Sequence, residues 1–162
     1  MKIFLFVLML LLPVLSFGRP VELNEIVGKL YSQKNLNLPS EDVFKKALTG
    51  YYHLVQQNIL TSEKSIITII DFSLSSNKKR LWVIDLKNSK VLFHNYVSHG
   101  KKTGEEYAKY FSNTVHSNMS SLGFYKTGDR YIGKHGLSLH LHGLDKGFND
   151  NAYERAIVMH SA

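Results

Sequence analysis

The last proline in the chain is Pro39, and the hydrophobic pattern changes character beyond it. Immediately after it, Val43, Phe44, Ala47, Leu48, Tyr51, Leu54 and Val55 recur at helical spacing, which predicts one apolar helix face running to about Gln57. Ser40 supplies an N-cap, and Glu41 and Asp42 supply first-turn acids that favour the positive end of the helix dipole. Gly50 interrupts this helix, at a cost of about 1 kcal/mol relative to alanine. From Ser65 onward the pattern is that of strands. Ser65–Ser73 is β-branched and apolar, as a buried strand requires. The class this predicts is mainly β with an N-terminal helical segment, α+β overall.

Around that switch the chain divides into three parts: an apolar leader over 1–18, a helical segment over 19–60 and a β-rich body over 61–162. A second helix is expected at about Leu23–Ser32. In the body, Arg80–Leu86 and Val91–Val97 flank Lys87-Asn88-Ser89-Lys90 and read as a hairpin. Residues 105–121 are polar and loop-like. Gly123–Gly133 reads as a strand, a turn at Thr127-Gly128-Asp129 and a second strand. Leu137–Leu141 alternates leucine with polar residues, and Arg155–His160 is a final apolar strand. Eight of the 11 glycines lie at or after Gly100, so this half is built of short strands and tight turns.

The leader reads as an export signal. Lys2 is followed by a thirteen-residue apolar run, Ile3–Leu15, with small residues Ser16 and Gly18 placed for a cut before Arg19. A spanning helix needs about 20 apolar residues, so the run is short for an anchor, and no stable membrane anchor is expected after cleavage. Lys+Arg number 20 against 13 Asp+Glu, a formal net charge of +7 that suits an anionic environment. Export of a basic chain argues against a cytosolic nucleic-acid role.

The 162 residues contain no cysteine, which excludes disulfides, thiolate-ligated metals and a thiol nucleophile within them. Seven of the eight histidines lie at or after His94. His140 and His142 stand two apart on an expected strand, so both rings face one side, half of a zinc site. The remaining candidates, His135, His160 and Asp145, have no diagnostic spacing, and neither a metal nor a cofactor is expected. No Gly-x-Ser-x-Gly elbow is present. Asp129, Asp145, Asp150 and Glu154 are spread through loops rather than paired for catalysis. His160 stands apart, because it ends an apolar strand and is followed by small residues. A ring held there suits a general base beside a nucleophile, and equally a structural histidine.

The segments Leu81–Gly100, Phe111–Tyr125 and Tyr131–Ala162, above all the string GKHGLSLHLHGL with FNDNA and VMH after it, resemble the murein L,D-transpeptidase catalytic domain of the YkuD type. The resemblance covers about residues 40–162. It implies a β-sandwich or barrel-like catalytic domain that cleaves a peptidoglycan stem peptide after its third residue. Such a domain forms a cysteine thioester and passes the acyl group to an amine. His160 matches the family histidine that activates the cysteine, and the Ser161 backbone carbonyl matches the group that orients its ring, the logic of a Cys–His pair. The family places its Gly-Cys motif beyond the histidine, and no residue here matches that cysteine. A truncated frame, a fragment and a natural non-catalytic derivative all remain open. The apolar ending favours the first two, so 61–162 is expected to be a partial, incomplete catalytic domain. Ser120, Ser121, Gly123 and Phe124 resemble the donor-peptide side of the groove. Asn113, His142, Asn149 and Asn151 lie in family-like strings and are candidates to meet the peptide or the site wall, with a turn-forming role as the alternative. Lys101 and Lys102 are candidates to meet anionic polymer, or belong to a solvated loop.

The leading expectation is therefore an exported protein, which the resemblance puts in the periplasm or cell envelope of a bacterium, built to act on peptidoglycan stem peptides without turnover as this chain. A non-catalytic peptidoglycan-binding module is the rival, and a histidine-based metal protein the third reading. The oligomeric state is open.

Overall fold

The computed structural model describes residues 20–34, 36–61 and 65–160. The leader over 1–18 and the Ser161 carbonyl lie outside the described residues. Two helices, α1 (Pro20–Tyr31) and α2 (Glu41–Gln56), precede six strands. The strands are β1 (Ile66–Ile70), β2 (Leu81–Asp85), β3 (Lys90–Asn95), β4 (Tyr125–Gly133), β5 (Gly136–Gly143) and β6 (Val158–His160). They form two antiparallel sheets in chain order, β1-β2-β3 and β4-β5-β6, and this is the mainly β, α+β architecture that the pattern predicted. Among the described residues no helix is long and apolar enough to cross a membrane.

The expected cap on α2 is formed: Ser40 Oγ accepts from the Val43 N–H, and Lys45–Glu41 and Lys46–Asp42 pair one turn apart. The apolar face of this helix buries Phe44, Leu48, Tyr51 and Leu54. Phe44 and Leu48 join Val27 and Leu30 of α1 and Ile69, Trp82 and Ile84 of the first sheet in one core cluster. Each fully buried leucine or phenylalanine there contributes about 1.5–3 kcal/mol by leaving water. Two hydrogen bonds tie the connection between the helices into place, Trp82 Nε1–H to the Asn37 carbonyl at 3.0 Å and Tyr31 Oη–H to the Pro39 carbonyl at 2.6 Å. Ile66, Ile70 and Phe93 project from the opposite side of the first sheet and are exposed.

The expected hairpin is β2–β3. The second hairpin corrects the reading of Gly123–Gly133 as two strands about a turn. That stretch enters a single strand, β4, and the chain reverses at 134–135 instead. Between Thr127↔Leu141 and Arg130↔Leu139 the strand β4 advances three residues against two on β5, so the residues read as a turn form a bulge. Gly128 suits that bulge because a Cβ there would come within 2.6 Å of His142 Nε2.

Candidate active-site region

The second sheet carries the histidines. Strand alternation puts Ser138, His140 and His142 on one face of β5, and the register places Tyr131 and His160 opposite Ser138 on that face. His140 stacks on Tyr131 with ring centroids 4.3 Å apart, and His142 stacks on Tyr153 at 4.9 Å. Tyr153 also meets His140 at 5.1 Å, so the two imidazoles share one tyrosine. His160, the last residue of β6, is exposed, and its ring stacks on that of His135 at 4.5 Å and 16°. His135 comes from the β4–β5 turn, so the ring of His160 meets an element other than its own strand. Among the described residues no group of three or more His, Asp or Glu side chains is arranged to hold a metal ion.

The other candidates gather around the loop before β4. Ser121 is buried, and its hydroxyl lies 2.8 Å from Tyr125 Oη while accepting from Arg155 Nη1 at 3.1 Å. Tyr125 Oη also donates to the Ser121 carbonyl at 2.8 Å. Desolvation is the first cause that pushes the Tyr125 hydroxyl above the usual tyrosine range. Gly123 has φ +122, and a side chain there would strike Asp145 and Asn149, so only glycine turns the chain at this point. Phe124 follows, with its N–H donating to Asp145 Oδ2 at 2.5 Å and its ring lying against Gly50 of α2.

Asn149 is fully buried, and its amide works in both directions. Nδ2 donates to the Phe124 carbonyl at 2.9 Å, and Oδ1 accepts from the Asp145 N–H at 2.8 Å. Asn151 clasps Asn113: its N–H donates to Asn113 Oδ1 and its Nδ2 to the Asn113 carbonyl. Asn113 Nδ2 in turn donates to Asp150 Oδ1 at 2.7 Å. The Gly147 N–H, and after it Asn113, hold the Asp150 carboxyl below the usual carboxylate range. The connection from β5 to β6 therefore grips the 112–124 loop at both ends. The structure brings Ser121, Gly123, Phe124 and Asn149 together, and sets Asn151 against Asn113 at the other end of the loop. It sets His142 and His160 on the sheet face. Lys101 and Lys102 are exposed in a turn.

Four groups escaped the sequence reading. Arg155 donates to the Ser112 carbonyl, to the Ser121 and Ser117 hydroxyls and to the Met119 carbonyl. Arg80 is fully buried: Nε and Nη2 reach the Val97 carbonyl, Nη1 the Leu74 carbonyl, and the guanidinium lies 5.1 Å over the Phe72 ring. Burial lowers Arg80 from the usual arginine range, and the nearby Asp71 pulls it partly back. A guanidinium only donates, so the 2.8 Å contact from Arg80 Nη2 makes His99 Nδ1 an acceptor and leaves its Nε2–H to donate to the Gly104 carbonyl. Thr103, also fully buried, accepts at Oγ1 from the Ser120 N–H at 2.7 Å. The available signal was an arginine at each edge of an apolar run, in RLWVIDL and ERAIVMH.

Comparison with known proteins gives a family match. The family model described as the L,D-transpeptidase catalytic domain covers residues 35–162. No curated protein and no solved structure matches.

Proposed function

The chain belongs to the L,D-transpeptidase catalytic-domain family, whose substrate in general terms is peptidoglycan, and we propose that it is an exported cell-envelope protein built to engage peptidoglycan stem peptides. The observation that carries this reading is the family match over 35–162, combined with His160 at a strand end in the family's histidine setting. In this reading His160 is the general base, and the Ser161 carbonyl orients its ring. The segment Ser121–Phe124, with His142, Asn149 and Asn151, forms or backs the stem-peptide side. In the family's acyl transfer a cysteine thiolate attacks the peptide carbonyl and the C–N bond breaks, the distal residue leaving as a protonated amine; an acceptor amine then takes the acyl group from the thioester and frees the thiol. The 162 residues hold no such sulfur, so we expect no transpeptidase turnover from this polypeptide.

A second reading is favoured by the same composition: a non-catalytic module that keeps the groove and binds peptidoglycan. The gripped 112–124 loop supports it, because that framework needs no thiol to persist. Co-sedimentation of the purified chain with intact sacculi, alongside mass analysis of muropeptides, tests both. Saturable binding competed by free stem peptides, without new cross-links or acyl-protein, is the expected result. Absence of saturable binding would overturn the stem-peptide reading, and new cross-links would overturn the prediction of no turnover.

A further inference from the structure

The geometry points to Arg155 as a positioning residue that sets the 112–121 loop against the strand carrying His160. Resting on the stem-peptide reading of that loop, this identifies what shapes the groove. Arg155 stands three residues before β6, and the chain between is fixed by the Ile157 N–H donating to the Ala152 carbonyl at 2.9 Å. From that root its two terminal nitrogens fan out. Nη1 takes the Ser112 carbonyl at 2.6 Å and Ser121 Oγ at 3.1 Å, while Nη2 takes Ser117 Oγ at 3.1 Å and the Met119 carbonyl.

Those acceptors span the loop from one end to the other. Other contacts hold the loop at single points, Asn151 and Asp150 at Asn113, the Lys102 N–H at the Asn118 carbonyl, and Thr103 and the Gly100 N–H at Ser120; it makes no regular ladder, and His116 and Asn118 both have positive φ, 63° and 57°. Asn and His enter that region more readily than other side chains, so the turn at 116–118 is compatible with its own sequence and Arg155 adds the ties across it. The acceptors are all carbonyls and hydroxyls, and neither of the ion pairs found among the described residues involves Arg155. A planar fork with donors at fixed angles is the side chain that can satisfy four such acceptors at once; a lysine ammonium supplies three donors from one point. The Ser121 hydroxyl that it fixes also contacts Tyr125 at the start of β4, so the loop is registered against β4 and β6 together.

Amide hydrogen exchange and sacculus binding of the full 162-residue chain test this with R155K and R155Q. In R155Q the Ser112 and Ser120 amides, which donate to the Ser120 carbonyl and to Thr103 Oγ1, are expected to exchange at least about tenfold faster. Sacculus affinity should fall by about tenfold, while the Leu48 and Ile84 amides of the helix–sheet core keep their protection. R155K should fall between wild type and R155Q on both measures, which a merely space-filling role would not produce. Unchanged loop exchange in R155Q, or equal behaviour of the two variants, overturns the inference. If R155Q loses protection throughout, R155K decides: faster loop exchange over an intact core supports the assignment, and wild-type exchange rejects it. If wild-type protein fails to bind sacculi, the stem-peptide reading falls, and the exchange measurement alone decides whether Arg155 sets the loop.

Discussion

The Phe124 ring occupies the space that a side chain at Gly50 would fill, so a residue that weakens α2 in isolation is the seat of an aromatic ring from the loop before β4. This contact ties the helical segment to the half of the molecule that carries the candidate groove. Replacing Gly50 by alanine adds helix propensity worth about 1 kcal/mol, but its Cβ must displace the ring. G50A is therefore expected to be destabilised by about 1 kcal/mol net in urea unfolding. In an F124A background the same substitution should stabilise by about 1 kcal/mol. The same sign in both backgrounds would dismiss the seat.

Asn149 is expected to be among the least replaceable polar residues. N149A removes the donor to the Phe124 carbonyl and leaves the half-buried Asp145 N–H without its acceptor. The cost should be about 2–4 kcal/mol, because unsatisfied buried groups are penalised beyond the lost bond. A loss under about 0.5 kcal/mol, the range of ordinary surface substitutions, would contradict the described role.

Arg80 makes the corresponding prediction for the first sheet. R80M keeps much of the apolar stem but strips donors from the Val97 and Leu74 carbonyls and from His99 Nδ1. A loss of about 3 kcal/mol is expected by equilibrium unfolding. The imidazole of His99 should also lose its fixed tautomer, read from its ring nitrogen shifts. Wild-type shifts in R80M would show that another group sets the tautomer.

At alkaline pH the helical segment should lose stability through Tyr31. Burial, and then the Glu41 carboxylate, push its hydroxyl from 10.0 up to about 12. The folded state thus holds the proton more tightly than the unfolded chain. The stabilisation is complete below pH 10, where both states are protonated, and is lost as pH rises through about 12. In Y31F this part of the alkaline loss should vanish, leaving a shallower fall across that window, with Tyr51 and Tyr125, also raised, still contributing. Identical slopes for Y31F and wild type would refute it.

What was readable in the sequence was what local periodicity determines. The cap at Ser40, the apolar face of α2 and the β2–β3 hairpin follow from short-range pattern, and His140 and His142 share a face because strand alternation leaves no other choice. The bulge at Gly128 was not readable, since Thr127-Gly128-Asp129 has turn composition and only pairing with β5 keeps it in a strand. The two organising arginines were hidden for a different reason. Arg155 meets Ser117 38 residues away and Arg80 meets Val97 17 away, and an isolated arginine carries no mark of the carbonyls that will surround it.

Among the described residues beyond Leu86 the buried apolar side chains reduce to Ala152, so the half carrying His160 is held by directed polar contacts around Asn149 and Arg155 while the other half is held by an oily core. Exposing little buried hydrocarbon gives a small heat-capacity increment, and a small increment flattens the dependence of stability on temperature. The groove framework should therefore keep its geometry in the cold, where apolar burial weakens, and it is the helices and first sheet whose grip varies with temperature.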